Sequence, residues 1–111
     1  MNTLKFTASL YNVGAVTKLP KTNRVMQRLR FQVNPTPDKL GRILESVNYY
    51  DVFIYGQDEI DKAWKDHKPE YPTPTATVTV QVVGRMRLDE KTYLYWNNIT
   101  FRLINIIWNY D

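Results

Sequence analysis

The sequence predicts an all-β protein with one helix, and three observations lead to that prediction. Stretches of alternating apolar and polar residues recur along the chain, and such alternation is typical of half-buried strands. One segment, residues 57–67, instead places Ile60, Ala63 and Trp64 at the i, i+3 and i+4 positions of a helix. Prolines, glycines and asparagines cluster between these stretches, as they do in loops. The length of 111 residues fits one domain.

The first two predicted strands are residues 4–11 and 24–33. In the first, LKFTASLY, every second residue from Leu4 to Leu10 is apolar. In the second, RVMQRLRFQV, the apolar face is interrupted only by Gln27. Its opposite face carries three arginines, which are Arg24, Arg28 and Arg30. The residues between the two strands are predicted to form a bend and a loop.

The third predicted strand, YYDVFIYG at residues 49–56, is unusually rich in aromatic residues. The segment before it, residues 34–48, contains two prolines and a glycine, which favour a projecting loop over a strand. Successive side chains of a strand point to opposite faces. Alternation therefore predicts a core face of Tyr50, Val52 and Ile54 and an outward face of Tyr49, Asp51, Phe53 and Tyr55.

The second half of the chain is predicted to contain a helix and two long strands. The helix, residues 57–67, has acids in its first turn and bases in its last, which the helix dipole favours. The fourth strand, residues 75–88, points Arg85 and Arg87 outward. A polar turn leads into a last strand over residues 93–110, in which residues 97–98 are predicted to form a bulge or a second turn.

This order of elements is that of the OB fold, a five-stranded Greek-key barrel with one helix between strands three and four. We therefore predict a single OB-fold domain over residues 1–111, with residues 34–48 as a projecting loop. Trp64 would close the bottom of the barrel. An SH3-like or split barrel is the alternative, but neither explains a helix at that position.

The charge of the chain is unevenly distributed. The net charge of +4 alone favours polyanionic partners only mildly. Residues 1–48, however, hold eight Lys or Arg against two acids, whereas residues 49–75 hold three against six. Positive charge is therefore concentrated on the second strand and on the loops beside it, which carry Lys18 and Lys21.

Several classes of protein are disfavoured by the sequence. Cysteine is absent, which excludes disulfides and thiolate metal sites. The N-terminus is too short and polar for a signal peptide, and no apolar run approaches the roughly 20 residues that span a bilayer. We therefore expect a soluble, cytoplasmic protein with no membrane partner.

Catalytic groups are sparse in the sequence. His67, the single histidine, lies in the polar end of the predicted helix and is predicted to be a solvated surface residue. The acids Asp58, Glu59 and Asp61 fit the first turn of a helix without any metal. No phosphate-binding glycine loop occurs. We therefore predict a protein that is not an enzyme and that holds no metal and no cofactor.

The outward faces of strands two and three would place arginines beside aromatic rings. Single-stranded nucleic acid requires this mixture, because phosphates need positive charge and unpaired bases need flat surfaces on which to stack. Asp51 would hold one of the arginines. The predicted binding residues are Tyr49, Phe53 and Tyr55, the arginines Arg24, Arg28, Arg30, Arg85 and Arg87, and the loop lysines Lys18 and Lys21.

Two motifs resemble the bacterial single-stranded DNA-binding protein family. In that family the third strand ends in an aromatic–x–x–apolar–apolar–apolar–aromatic–Gly pattern before the helix, and residues 49–56 are similar. The fourth strand of the family carries an apolar run followed by Gly, a polar residue, an apolar residue and a base, and VQVVGRMR at residues 80–87 is similar. The likeness extends over about residues 3–106.

The resemblance implies that Tyr49 and Tyr55 stack on nucleotide bases, as the matching rings do in the family. It also implies a role in replication, recombination or repair. The acidic C-terminal tail of the family has no counterpart here. A tail-less relative, such as a primosomal replication protein B-like or mobile-element paralogue, is therefore the expected identity.

Two alternatives to single-stranded DNA binding remain open from the sequence. The aromatic face could dock on another protein chain, which would make this an OB-fold interaction or assembly subunit without a nucleic-acid ligand. The apolar ending ITFRLINIIWNY suits such an interface and also suits a homo-oligomer, either a dimer or a tetramer. RNA is not separated from DNA, because no group that would recognise a 2′-hydroxyl is identifiable.

Overall fold

The computed structural model describes residues 2–33, 48–71, 74–88, 90–93 and 95–110. The elements are β1 (Thr3–Val13), β2 (Thr17–Lys18), β3 (Val25–Val33), β4 (Asn48–Tyr55), α1 (Gln57–Trp64), β5 (Thr75–Leu88) and β6 (Tyr95–Asn109). The predicted projecting loop at 34–48 lies outside the described residues, apart from Asn48 at the start of β4. The short strand β2 lies in the segment that the sequence predicts to be a loop.

The five long strands form a closed barrel. Hydrogen bonds link the strands in the order β1-β5-β6-β4-β3-β2, and an additional pairing of β1 with β3 completes the ring. The strand β1 reaches both neighbours because residues 3–9 pair with β5 and residues 9–13 pair with β3, across a register shift between Leu10 and Asn12. Since α1 lies between the third and fourth long strands, the predicted OB fold is confirmed.

Alternation along the strands correctly predicts the barrel core. On β4, Val52 and Ile54 are fully buried, and on β5 every second residue from Ala76 to Val80 is completely inaccessible. Burial of these side chains supplies the main favourable term in folding. The largest fully buried side chains are Phe31, Leu29, Ile54, Val52, Val78 and Val80.

The helix closes one end of the barrel through two tryptophans. Trp64 and Trp108 stack with their ring centroids 5.3 Å apart, and Trp108 Nε1 donates a hydrogen bond to the Ala63 carbonyl at 2.9 Å. Trp64 Nε1 donates to Gln27 Oε1 at 2.7 Å. Gln27 Nε2 in turn donates to the Gly14 carbonyl at 3.0 Å, so the one polar residue on the apolar face of β3 is fully paired. A buried amide requires such partners.

The prediction that His67 is a solvated surface residue is wrong. The helix ends at Trp64, three residues before the predicted end, and the chain then turns back so that the His67 N–H donates to the Trp64 carbonyl at 3.1 Å. This turn packs the imidazole edge-on against the rings of Trp64 and Trp108, with centroid distances of 4.7 and 4.8 Å. His67 is therefore half-buried.

The predicted bulge or turn at residues 97–98 is also wrong. Asn97 and Asn98 continue the ladder, opposite Met86 and Arg85 of β5. Ile99, the residue that follows them, is 63% exposed. The irregularity lies instead between Thr79 and Val80, where the register shift leaves Ile104 without a partner.

Among the described residues, no helix has the length and apolar character needed to cross a membrane.

Candidate nucleic-acid interface

The outward side chains of β3 and β4 form one continuous surface, which we call the β3–β4 face. It exists because the two strands pair antiparallel in a register that places Arg28 opposite Phe53 and Arg30 opposite Asp51. The intervening residues of both strands point into the core. The face consists of Met26, Arg28, Arg30 and Gln32 on β3 and Tyr49, Asp51, Phe53 and Tyr55 on β4.

The centre of the β3–β4 face is an ion pair. Arg30 Nε donates to Asp51 Oδ1 at 2.7 Å, and Arg30 Nη2 donates to Asp51 Oδ2 at 3.1 Å. The hydrogen bond from Arg30 lowers the pKa of the Asp51 carboxyl below its ordinary value, and the nearby charge of Arg28 acts in the same direction. The carboxyl is therefore ionised at neutral pH. The predicted pairing of Asp51 with an arginine is confirmed.

Two tyrosines lie at one end of the face. Tyr49 is 45% exposed, and its ring lies 4.8 Å, centroid to centroid, from the ring of Tyr11 in β1. Partial burial raises the pKa of the Tyr49 phenol, and a hydrogen bond with Tyr11 adds to the shift. The phenol is therefore neutral at physiological pH, so it adds no negative charge to the surface.

Two further rings and an arginine lie at the other end. Phe53 and Tyr55 are half-buried and nearly parallel, with centroids 6.4 Å apart and an interplanar angle of 21°. The Arg102 guanidinium carbon lies 5.6 Å from the centroid of Tyr55, as in a cation–π contact. Arg102 reaches this position because β6 runs parallel to β4 with Arg102 opposite Phe53.

Gly56 ends β4 just after Tyr55, the last of its three outward rings (Tyr49, Phe53 and Tyr55). Its φ of 95° lies in the region that favours glycine, and this turn leads directly from β4 into α1. The Gly56 N–H donates to the Val25 carbonyl at 2.8 Å, which ties the turn to the start of β3. Tyr55, the preceding residue, is thereby held opposite Met26.

The predicted basic residues Lys18, Lys21 and Arg24 adjoin the same end of the face. All three are exposed, and β2 pairs Lys18 with Val25 at the start of β3. The Leu19 N–H donates to the Arg24 carbonyl at 2.9 Å, which closes the turn that carries Lys21. Arg24 precedes β3 instead of lying within it, and its guanidinium lies beside Gly56.

The structure does not bring Arg85 and Arg87 to the β3–β4 face through strand pairing. Both lie in β5, opposite Asn98 and Trp96 of β6, and β5 pairs with β1 and β6 only. Their side chains lie outside the described part of the structure. Their proposed role in binding stays a prediction.

Sequence reasoning missed two residues of this surface. Tyr11 lies at the irregularity in the pairing of β1 with β3, and only this bulged pairing brings its ring next to Tyr49. Arg102 alternates with Phe101 and Leu103, which indicates an outward position, but its neighbour Tyr55 follows from the parallel β4–β6 pairing. Among the described residues, no group of three His, Cys, Asp or Glu could hold a metal ion.

No protein-family model and no curated protein matches this chain. Several solved structures do match it. An SSB from Plasmodium falciparum in complex with ssDNA is 11% identical, with a TM-score of 0.61 over 98% of this chain and 95% of that one. A mitochondrial single-stranded DNA-binding protein from S. cerevisiae is 7% identical, with a TM-score of 0.54 over 96% and 93%. A small single-stranded DNA-binding protein from Streptomyces coelicolor is 16% identical, with a TM-score of 0.51 over 98% and 96%.

These matches extend over nearly the whole of both chains, so they cover the barrel, the helix and the hairpin together. The predicted resemblance to single-stranded DNA-binding proteins is therefore confirmed for the fold. The likeness to a primosomal or mobile-element paralogue stays a prediction. The chain has the OB fold of these single-stranded DNA-binding proteins.

Proposed function

We propose that this protein binds single-stranded DNA in a sequence-tolerant manner and acts in replication, recombination or repair. Bases would stack on Tyr49, Phe53 and Tyr55, and arginines would contact the phosphates. The observation that carries the proposal is the register of β3 with β4, which places Arg28 directly opposite Phe53 on an outward surface. The structural neighbours that bind single-stranded DNA support it.

The rings of the β3–β4 face suit unpaired bases of any sequence. Every base has a flat π surface, and stacking on an aromatic side chain contributes about 1–3 kcal/mol per base. Tyr49 and Tyr55 are six residues apart, which corresponds to about 20 Å along a strand. In a duplex the same base surfaces are covered by neighbouring base pairs. We therefore expect single strands to be preferred over duplexes.

The basic residues suit the phosphates of the same strand. Arginine combines a permanent charge with a planar group that can stack as well as donate hydrogen bonds. Arg28 lies on β3 opposite Phe53, and the Arg102 guanidinium lies against the ring of Tyr55. Lys18 and Lys21 lie on the exposed turn beyond that end and would extend the contact along the strand.

A titration with three oligonucleotides of equal length tests the proposal. Fluorescence anisotropy of labelled oligo-dT, the matching duplex and the matching RNA would be recorded at two salt concentrations. We expect oligo-dT to bind, the duplex to bind much more weakly, and the affinity to fall with salt at a log–log slope of about −0.7 per phosphate neutralised. A response that is flat in salt, or a preference for the duplex, contradicts the proposal. The RNA series establishes whether the ligand is limited to DNA.

A second function, that of a protein-interaction or assembly subunit, is favoured by exposed apolar residues on β6. Ile104 is 42% and Ile107 53% exposed on the outside of the barrel. Such side chains are typical of surfaces that contact another chain. An oligomer that buries Tyr49 and Tyr55, together with indifference to all oligonucleotides, would support this function over DNA binding.

We also propose that the chain self-associates into a dimer or tetramer through the outer side of β6. Ile107→Asp places a charge in that surface and is expected to reduce the oligomer to a monomer in analytical ultracentrifugation. Because Ile107 is 53% exposed, the fold is expected to be retained. A wild-type protein that sediments as a monomer at high concentration contradicts this expectation.

A further inference from the structure

Asp51 is the acidic residue of the β3–β4 face, and it lies where a bound strand would pass. Along β4 it stands between Tyr49 and Phe53 on the outward side. Both of its carboxylate oxygens accept hydrogen bonds from Arg30, at 2.7 and 3.1 Å. The pair is solvated, with side-chain exposures of 37% for Arg30 and 34% for Asp51.

The pair changes what Arg30 can offer to a ligand. A guanidinium recognises phosphate with the same paired N–H groups that it uses for a carboxylate. In the free protein Asp51 occupies the Nε and Nη2 edge of Arg30, so a phosphate that uses this edge must displace it. Exposed ion pairs are weak enough for such an exchange to occur in water.

We propose that Asp51 is an internal competitor for the phosphate at Arg30, and that it limits the affinity and the salt sensitivity of strand binding. The inference rests on the proposed function. Binding exchanges the Arg30–carboxylate pair for an Arg30–phosphate pair and leaves the Asp51 carboxylate beside an anionic strand. An aspartate carboxyl has an ordinary pKa of about 3.9, so it is ionised at neutral pH and the repulsion persists there. The protein can therefore bind a strand and release it readily.

An alternative role for Asp51, that of orienting Arg30, predicts the opposite effect of its loss on affinity. If Asp51 served to orient Arg30 for phosphate, its loss would weaken binding. The sign of the effect of Asp51→Asn on affinity therefore decides between the two roles. Asparagine keeps the size of the side chain and one acceptor oxygen, but it removes the charge and replaces the second acceptor oxygen with an amide nitrogen that only donates.

The test compares Asp51→Asn with Asp61→Asn in titrations against labelled oligo-dT over a salt series. Asp61 lies on α1, away from the β3–β4 face, and its carboxylate also accepts a side-chain hydrogen bond, from Gln57 Nε2 at 2.8 Å. Both variants change the net charge equally. We expect Asp51→Asn to lower the Kd several-fold at low salt and to steepen the log–log salt slope by up to about 0.7, because the charge of Arg30 is then no longer offset by a carboxylate. Asp61→Asn is expected to match the wild type.

A second variant, Arg30→Gln, tests whether the gain in affinity of Asp51→Asn depends on Arg30. In the wild-type background its effect on Kd is expected to be small, whereas in the Asp51→Asn background it is expected to abolish the gain. An Asp51→Asn protein that binds as the wild type or more weakly overturns the inference, as does an equal gain in Asp61→Asn. Failure of the wild-type protein to bind oligo-dT at any salt concentration instead overturns the proposed function itself.

Discussion

Gly14, the residue that follows β1, packs closely against the backbone of β3. Its N–H donates to the Arg28 carbonyl at 2.8 Å, and a Cβ at this position would lie 2.9 Å from that oxygen. We therefore expect Gly14→Ala to lower the free energy of unfolding by about 1–3 kcal/mol, since backbone would have to move. Gly84, where a Cβ would meet nothing within 4 Å, is the matched control. Urea unfolding in which both variants behave alike contradicts this account.

The Arg30–Asp51 pair makes a pH-dependent contribution to stability. The folded-state pKa of Asp51 is depressed, so its contribution is present above the unfolded-state pKa of about 3.9 and is lost as the pH falls through the folded-state value. Wild type is expected to exceed Asp51→Asn in stability at pH 7, by no more than about 1 kcal/mol because the pair is exposed. The difference is expected to vanish in acid. Denaturant unfolding at several pH values measures it, and a difference that persists unchanged in acid contradicts the assignment.

At the scale of elements, α1 is attached to the barrel by the hydrogen bond from Trp64 Nε1 to Gln27 Oε1, which lies among apolar side chains. Trp64→Phe keeps an aromatic ring but removes the donor to the buried Gln27 Oε1. An unpaired buried acceptor destabilises by about 1–3 kcal/mol, and we expect that loss in urea unfolding. Combination with Gln27→Leu is expected to be less destabilising than the sum of the single changes, because the two residues share one interaction. Strict additivity would contradict the coupling.

The hairpin of β5 and β6 is expected to have two levels of stability. Residues 76–80 of β5 belong to the barrel, where every second side chain is fully buried, whereas Gly84 and Leu88 are exposed in its extension. Local opening requires little free energy where few apolar contacts are lost. Amide hydrogen exchange is therefore expected to be much slower in residues 76–80 than in residues 84–88. Equal protection along β5 would contradict this division.

Sequence alternation predicted most of the elements because a barrel strand has one buried face. The fourth predicted strand, residues 75–88, agrees with β5 at both ends, and the outward row of β4 lies as expected. What alternation could not provide is the identity of neighbouring strands. Tyr11 meets Tyr49 through a bulged pairing, and Arg102 meets Tyr55 through a parallel one. Neither pairing leaves a local signal in the residues that it joins.

Two wrong predictions have the same physical origin. The sequence around His67 is polar, and only the turn that follows α1 brings its ring to Trp64 and Trp108. The asparagines at 97 and 98 have low strand propensity, but the long β5–β6 ladder overrides it. In both cases contacts between residues distant in sequence decided the local structure.

For the molecule as a whole, the uneven charge along the chain is only partly kept in space. The basic N-terminal half contributes Arg28 and Arg30 to the β3–β4 face. The acidic segment contributes Asp51 to the same face, and Asp58 and Glu59 lie on the first turn of α1, beside Arg24 and Tyr55. Under the proposed function, the positive charge of Arg28 beside Phe53 would attract an anionic strand to the surface on which its bases would stack.

The double variant Tyr49→Ala/Tyr55→Ala tests the central claim most directly. Its matched control is Tyr71→Ala, because Tyr71 is 42% exposed and packs on Tyr110 at 4.9 Å, much as Tyr49 packs on Tyr11. In oligo-dT titrations at fixed salt, each lost ring is expected to raise Kd by roughly five-fold or more, in line with about 1–3 kcal/mol per stacked base. Tyr71→Ala is expected to bind as the wild type does. A folded double variant with unchanged affinity would contradict the account.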